Sequence, residues 1–175
     1  MQHVYLHVPF CVRRCSYCDF SIAVRKRVPA REFVDVILKE AQGTDFGDLA
    51  TIYFGGGTPS LLPPTAIGTL LEAFLPRTAH RAARTDVEVT LEANPEDVTS
   101  DSAKAWHAAG INRVSLGAQS FDDNVLKWMH RSHDAAQITK AVHALHDAGI
   151  TNISLDLIFG LPAEHNRNWE RDLVA

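Results

Sequence analysis

The sequence predicts an α/β chain built as a partial, open (β/α) barrel. Strand-like and helix-like stretches alternate along the whole chain, which implies parallel strands joined by crossover helices. Each strand-like stretch is apolar on one parity only, so one face of the sheet is covered and the other meets something polar. The polar parity carries carboxylates and amides near the C-terminal strand ends, where a (β/α) barrel places its site. A doubly wound sheet, covered by helices on both faces, would read as near-continuous apolar runs. A closed, packed barrel would fill its interior with bulky branched residues. Neither pattern is present.

The strands are expected at 3–8, 51–54, 86–92, 112–118 and 152–159. Their apolar parity reads Val4/Leu6/Val8, Ile52/Phe54, Val87/Val89/Leu91, Val114/Leu116/Ala118 and Ile153/Leu155/Leu157/Phe159. The other parity reads Tyr5/His7, Tyr53/Gly55, Glu88/Thr90/Glu92, Ser115/Gly117/Gln119 and Ser154/Asp156. Between the strands, Phe33, Val34, Ile37, Leu38 and Ala41 form one stripe of a helix over 30–42. Pro63-Pro64 suits a first helical turn and is followed by Ile67, Leu70, Leu71 and Phe74 on one face. A third helix over 100–109 has Thr99 or Ser100 as its cap and stops at Gly110. A short helix is expected over 122–130, and a longer one over 133–148 ends at Gly149. A last helix starts near Asn168 with no capping signal at its end. About five βα units are present, against the ~250 residues of a complete eight-unit barrel. Residues 1–175 are therefore expected to be the N-terminal part of a larger domain.

Composition narrows the function classes. With 46% hydrophobic and 22% charged residues, the 175-residue chain lies far from disordered or collagen-like composition. No apolar run approaches the ~20 residues of a membrane span, and the N-terminus has no signal-peptide pattern, so a cytoplasmic location without a membrane span is expected. The net charge of −4 argues against nucleic acid as a partner. Charge is nevertheless unevenly placed. Residues 1–31 hold six basic groups against Asp19 alone, or +5, and the remainder holds 11 basic and 20 acidic groups, or −9. The basic stretch suits either an anionic ligand or partner or simple solvation.

The three cysteines, Cys11, Cys15 and Cys18, fall within eight positions, an odd and local set unlike a secreted disulfide framework. The C-x3-C-x2-C spacing directly after a first strand suits an iron–sulfur cluster whose three thiolates leave one iron open. Zinc is the competing reading, and it would need His7 or Asp19 as a further ligand. Gly55-Gly56-Gly57-Thr58-Pro59 allows close backbone approach to a ligand, or simply a tight strand-to-helix turn. Glu92, Gln119 and Asp156 lie on the polar parity and are candidate ligand contacts, and Arg131 is a candidate partner for a ligand carboxylate. His130/His133 and His143/His146 read as surface or internally satisfied histidines.

The stretches YLHVPFCVRRCSYCDF (5–20), IYFGGGTPSLL (52–62), TLEANPEDVT (90–99), GINRVSLGAQSFDD (110–123) and NISLDLIFGLPAE (152–164) resemble the radical S-adenosylmethionine (SAM) superfamily. Within it they are most similar to the oxygen-independent coproporphyrinogen III oxidase group. The resemblance implies a radical SAM-type partial barrel and a [4Fe–4S] cluster on Cys11, Cys15 and Cys18, whose open iron takes the amino and carboxylate groups of SAM. It further implies that Tyr5 and Tyr17 line the cluster and cofactor, and that Gly56, Gly57 and Thr58 meet the methionyl part. Glu92 and Asp156 would bind the ribose side, Gln119 and Arg131 would make other cofactor contacts, and Ile158 would pack on adenine. The superfamily reaction is reductive cleavage of SAM, supplied with an electron by a donor protein.

Two branches of the group differ at the cysteine motif and at the N-terminus. Coproporphyrinogen oxidases carry a fourth cysteine two places after the third, where this chain has Phe20, and an N-terminal extension, where only four residues precede Tyr5. Both departures resemble the heme chaperone (HemW-type) branch. That branch implies heme or porphyrin as ligand and a hemoprotein as acceptor, and leaves open whether the protein is an enzyme. The family's sixth strand and C-terminal region are expected beyond Ala175, and with them heme contacts.

Overall fold

The computed structural model describes residues 2–75, 87–162 and 169–175. Its sheet has five parallel strands: β1 (Gln2–Val8), β4 (Leu49–Gly56), β5 (Glu88–Ala93), β6 (Arg113–Gln119) and β7 (Asn152–Leu157). They lie side by side in chain order, every neighbouring pair parallel, which gives an open, partial (β/α) barrel. Helices α1 (Ala30–Ala41), α2 (Pro64–Phe74), α3 (Ser100–Ala109) and α5 (Ala135–Asp147) form a continuous layer, α1 on α2, α2 on α3 and α3 on α5. Short α4 (Asp123–Trp128) and terminal α6 (Trp169–Val174) complete the helices.

Local sequence sets the ends. Pro63 caps α2, with Pro64 in its first turn, where its missing N–H costs nothing. Thr99 with Ser102, and Asp134 with Gln137, form reciprocal capping boxes at the starts of α3 and α5. Gly110 closes α3 in the left-handed conformation. The Thr99 and Asp134 caps each contribute about 1 kcal/mol.

The apolar parity lies under the helices. Ile52, Phe54, Leu91, Val114, Leu116 and Ala118 are fully buried, packed with Ile67, Leu70, Trp106, Ile138 and Leu145 from α2, α3 and α5. Burying each large side chain contributes about 1.5–3 kcal/mol. The last strand departs from expectation. It ends at Leu157 instead of residue 159, and Leu155 and Phe159 of its apolar parity are exposed. Among the described residues β7 is the sheet's last strand, and no long helix of the described set covers its apolar side. Strand ends also shift elsewhere. β4 takes in Gly55 and Gly56, and β5 and β6 run one residue further, to Ala93 and Gln119.

Two additional strands were invisible in the sequence pattern. β2 (Phe10–Cys11) pairs in parallel with β3 (Ala23–Val24), each only two residues long. They clamp residues 12–22 into one loop, which places Cys15 and Cys18 beside Cys11.

α6 is anchored by one buried carboxylate. Asp172 accepts hydrogen bonds from Ser120 Oγ at 2.8 Å and Phe121 N at 3.0 Å, just past the end of β6. Asp172→Ala would leave the buried Ser120 hydroxyl and the part-buried Phe121 N–H without this partner, an expected loss of about 2 kcal/mol. The shift in the urea midpoint checks it, and a shift within error would show that α6 is not docked this way.

Candidate functional site

The polar sheet face opens into a cavity of about 510 Å³ at the C-terminal strand ends. Its wall includes Cys11, Cys15, Tyr17, Cys18, Gly56, Gly57, Thr58, Glu92, Gln119, Arg131, Asp156 and Ile158. Of the cluster and cofactor contacts that the family resemblance implies, Tyr5 is the exception. It stands outside the wall, exposed, with its ring stacked on Tyr53 at 5.8 Å between centroids.

All three thiols are free. Cys11 is buried in β2, and its sulfur accepts a hydrogen bond from Thr58 Oγ1 at 3.3 Å. Burial pushes this thiol up and the Thr58 hydrogen bond opposes the push. The loop beyond is pinned across the chain: Ser16 N donates to Met129 O at 3.3 Å, and Ser16 Oγ to Trp128 O at 3.1 Å. Cys18 N closes a turn on Cys15 O at 3.2 Å. Among the described residues no three His, Cys, Asp or Glu side chains converge on a point as ligands of a single ion would. A multi-iron cluster spreads its thiolates around it, one to an iron.

Arg131 ties the loop to the sheet. Its Nη1 donates to Tyr17 OH at 3.4 Å and reaches Cys15 Sγ at 3.7 Å, while Nη2 donates to Asn94 Oδ1 and to Gly117 O at 3.0 Å. Its Nε is buried with no hydrogen-bond partner among the described residues. Burial and the neighbouring Cys15 push the Tyr17 phenol up to about 12, against the pull of Arg131.

Two carboxylates of the polar face, Glu92 and Asp156, reach the cavity wall. Glu92 accepts from Tyr53 OH at 2.8 Å and from Gly56 N at 3.0 Å, one donor on each oxygen. Each oxygen therefore keeps acceptor capacity for a ligand hydroxyl. Burial raises the Glu92 carboxyl, the Tyr53 and Gly56 hydrogen bonds oppose the rise, and Asp156 adds to it. The Tyr53 phenol is itself pushed far above its usual value, by burial and by its hydrogen bond to Glu92. Asp156 is held by Ser115, whose hydroxyl lies 2.9 and 3.0 Å from its two oxygens.

The glycine run supports two roles at once. Gly56 has φ +118°, and a Cβ there would lie 2.7 Å from the His7 ring and 3.0 Å from Val8 O. At Gly57 a Cβ would meet Phe10 O at 2.8 Å and Cys11 Sγ at 3.0 Å. The turn therefore needs glycine for its packing against the cysteine strand, and it lines the cavity as well.

Several wall and support residues escaped the sequence reading. Tyr53 and Ser115 share the polar parity, which was the available signal. Asn94 and Glu96 lie in and beside the 3-10 turn Pro95–Asp97, where no periodicity applies. The basic residues Arg13, Arg14, Arg25, Lys26 and Arg27 are exposed, as are His143 and His146.

Glu96 gives a pH prediction. Burial raises its carboxyl, but the hydrogen bond with His133 and the nearby Arg131 charge carry it below the ordinary carboxylate range. A depressed carboxylate contributes stability that is complete above its unfolded pKa of about 4.3 and is lost as pH falls through the lower folded value. Glu96→Gln should therefore flatten the fall in stability below about pH 5. Urea midpoints measured from pH 7 to pH 3 check this, and an unchanged slope would refute it.

A parallel sheet helix-covered on one face, with a clamped three-cysteine loop opening onto its other face, defines a class. Residues 5–173 match the model of the Radical SAM superfamily, and the chain belongs to that superfamily. Among curated proteins it is similar to the heme chaperone HemW of Escherichia coli (strain K12), 39% identical over 167 residues, covering 91% of this chain and 43% of that protein. HemW of Lactococcus lactis subsp. lactis (strain IL1403) is 37% identical over 164 residues, covering 91% and 41%. The mitochondrial radical S-adenosyl methionine domain-containing protein 1 of Bos taurus is 37% identical over 174 residues, covering 97% and 39%. Among solved structures, the coproporphyrinogen III oxidase HemN from Escherichia coli, described as a radical SAM enzyme, superposes with a TM-score of 0.81 at 25% identity. That match covers 99% of this chain and 40% of the oxidase. The chain thus spans about two fifths of the length of these relatives. Membership implies a [4Fe–4S] cluster and SAM. No helix among the described residues is long and apolar enough to cross a membrane.

Proposed function

We propose that the chain is the cluster- and SAM-binding part of a cytoplasmic heme chaperone. The observation that carries this reading is one cavity whose wall holds three free thiols, the carboxylates of Glu92, Glu96 and Asp156, and the part-buried Arg131. The residues fit the group. Arg131 Nε is buried without a hydrogen-bond partner among the described residues, as a donor reserved for a ligand would be. Gly57 brings bare backbone against Cys11 Sγ, with no side chain between them. A cavity of 510 Å³ lies within the ~300–1,000 Å³ usual for small-ligand sites.

In this reading Cys11, Cys15 and Cys18 hold a [4Fe–4S] cluster. When bound, the cluster supplies an open iron for the amino and carboxylate groups of SAM and an electron for cleavage of the sulfonium. The chain's own residues bind and orient. Arg131 offers donors to the carboxylate, already aimed by Asn94 and Gly117. Glu92 and Asp156 accept from ribose hydroxyls, with Tyr53 and Ser115 holding each carboxylate in place. Gly56, Gly57 and Thr58 meet the methionyl part, Gln119 contacts the cofactor, and Ile158 packs on adenine. Val12, Phe20 and Ile22 add apolar wall that limits water. Tyr5 acts through Tyr53, the ring on which it stacks.

Heme as ligand rests on the names of the HemW relatives and on Phe20 in place of a fourth cysteine. An acceptor hemoprotein and an electron-donor protein complete the proposal. The fold likeness to HemN favours a second reading, coproporphyrinogen oxidation. A heme titration beside an assay of coproporphyrinogen consumption, on the same anaerobically reconstituted protein, separates them. Heme binding without turnover is expected, and turnover would overturn the chaperone reading. Reconstitution should also yield about four irons per chain. Stoichiometric zinc with no iron uptake would defeat the cluster assignment.

A further inference from the structure

His133 is the one buried histidine among the described residues, and both its ring nitrogens face oxygen. Nδ1 lies 3.0 Å from Glu96 Oε2, and Nε2 lies 3.1 Å from Ala118 O. A neutral imidazole carries one N–H and can serve only one acceptor. The Ala118 carbonyl can only accept, so Nε2 holds a proton. The Nδ1 contact is then decided by Glu96, a carboxyl of the type ordinarily ionised at neutral pH and here close to the Arg131 charge. An ionised carboxylate can only accept, so Nδ1 donates as well.

The second link runs through the backbone. Ala118 O also accepts from Ser120 N at 2.8 Å, closing a three-residue turn around Gln119. Gln119 has φ +66°, so this is the strained, positive-φ form of the γ-turn. It falls where the pairing of β6 with β7 slips register, between Leu116 and Gln119. Such a turn persists only where its surroundings over-determine it. The imidazole N–H on Ala118 O is one such constraint, and it comes from outside the turn.

We infer that His133 is an imidazolium that donates from both nitrogens and serves as a positioning residue for the cavity. Its Nε2–H holds the Ala118 carbonyl and with it the turn that presents Gln119. Its Nδ1–H holds Glu96 in the cavity wall. His133 itself lines only a smaller adjoining hollow. The titratable and charged groups around that hollow are Asp123, Lys127 and Asp134, with Arg13, His130 and Arg131. Asp123 and Asp134 accept from backbone N–H groups at the start of α5. Glu96 therefore remains the carboxylate in direct contact with the ring.

The consequence for cofactor binding rests on the SAM reading above, whereas the protonation state does not. Long-range 1H–15N spectra of the histidine-labelled chain at pH 7, assigned with His133→Gln, should show both ring nitrogens of His133 protonated. One bare nitrogen would overturn the inference. Glu96→Gln should convert the ring to the neutral form protonated at Nε2, and an unchanged ring spectrum would also overturn it. On reconstituted protein, His133→Gln should weaken SAM binding about tenfold with iron content unchanged. Unchanged affinity would remove the positioning role. If His133→Gln does not fold, His133→Phe, which fills the ring's space without a donor, carries the same affinity comparison. Wild-type protein that takes up neither iron nor SAM would defeat the cofactor reading, and the ring spectra would still decide the protonation state.

Discussion

Cys15→Ala will abolish cluster uptake and SAM cleavage together. Cys15 sits in the middle of the clamped loop, half-buried, with Arg131 Nη1 3.7 Å from its sulfur. Two thiols would remain for a cluster that needs three. Loss of a group that only supports a metal ligand typically costs 10–100-fold, so loss of a ligand itself should exceed about 100-fold in cleavage. Iron content, visible absorption and methionine release after anaerobic reconstitution measure it. Cleavage that persists in the variant would show that the three-thiolate assignment is wrong. A merely misfolded variant would be seen in its urea midpoint, because Cys15 contributes no core packing.

Gly56→Ala will cost about 2–4 kcal/mol of stability, from a backbone held at positive φ and a Cβ forced against the His7 ring and Val8 O. It will also weaken SAM binding, since Gly56 N is one of the two donors that orient Glu92. Gly68→Ala supplies the contrast. Gly68 lies inside α2, and a Cβ there meets nothing within 4 Å, so this change should stabilise by about 0.5–1 kcal/mol. Paired urea titrations give both numbers. Equal effects of the two substitutions would show that the glycine run is not constrained as described.

Much of the site was legible because strand parity is a two-residue period that needs no tertiary information. Ile52 and Phe54 went under the helices, and Glu92 and Asp156 came to the open face, as alternation requires. The five-strand parallel order followed from the alternation of element types. Parity says less where the backbone departs from a regular strand. Gln119 reaches the cavity wall as its parity requires, but a strained turn and a register slip aim it there, and neither leaves a mark in residue type. Leu155 and Phe159 match the apolar parity yet are exposed, because burial depends on a covering layer and not on the strand itself. Two-residue strands such as β2 and β3 have too few residues for any period to register. Asn94, Glu96, His133 and Asp172 act through contacts between residues 15–52 positions apart, beyond any local pattern. Tyr5 shares the polar parity and the level of Tyr53, but its ring stacks on Tyr53, which takes the place in the cavity wall.

The pinning of the cysteine loop bears on the order of events during biosynthesis. Ser16 hydrogen-bonds to Trp128 at a separation of 112 residues, and Cys15 meets Arg131 at 116. Closing so long a loop carries its entropic cost before any local contact repays it. The thiols thus leave the ribosome well before residues 128–131 and take their final arrangement only after them. Iron delivered to the nascent chain would find three unconstrained cysteines. Iron delivered after residue 131 has docked would find a shaped receptacle.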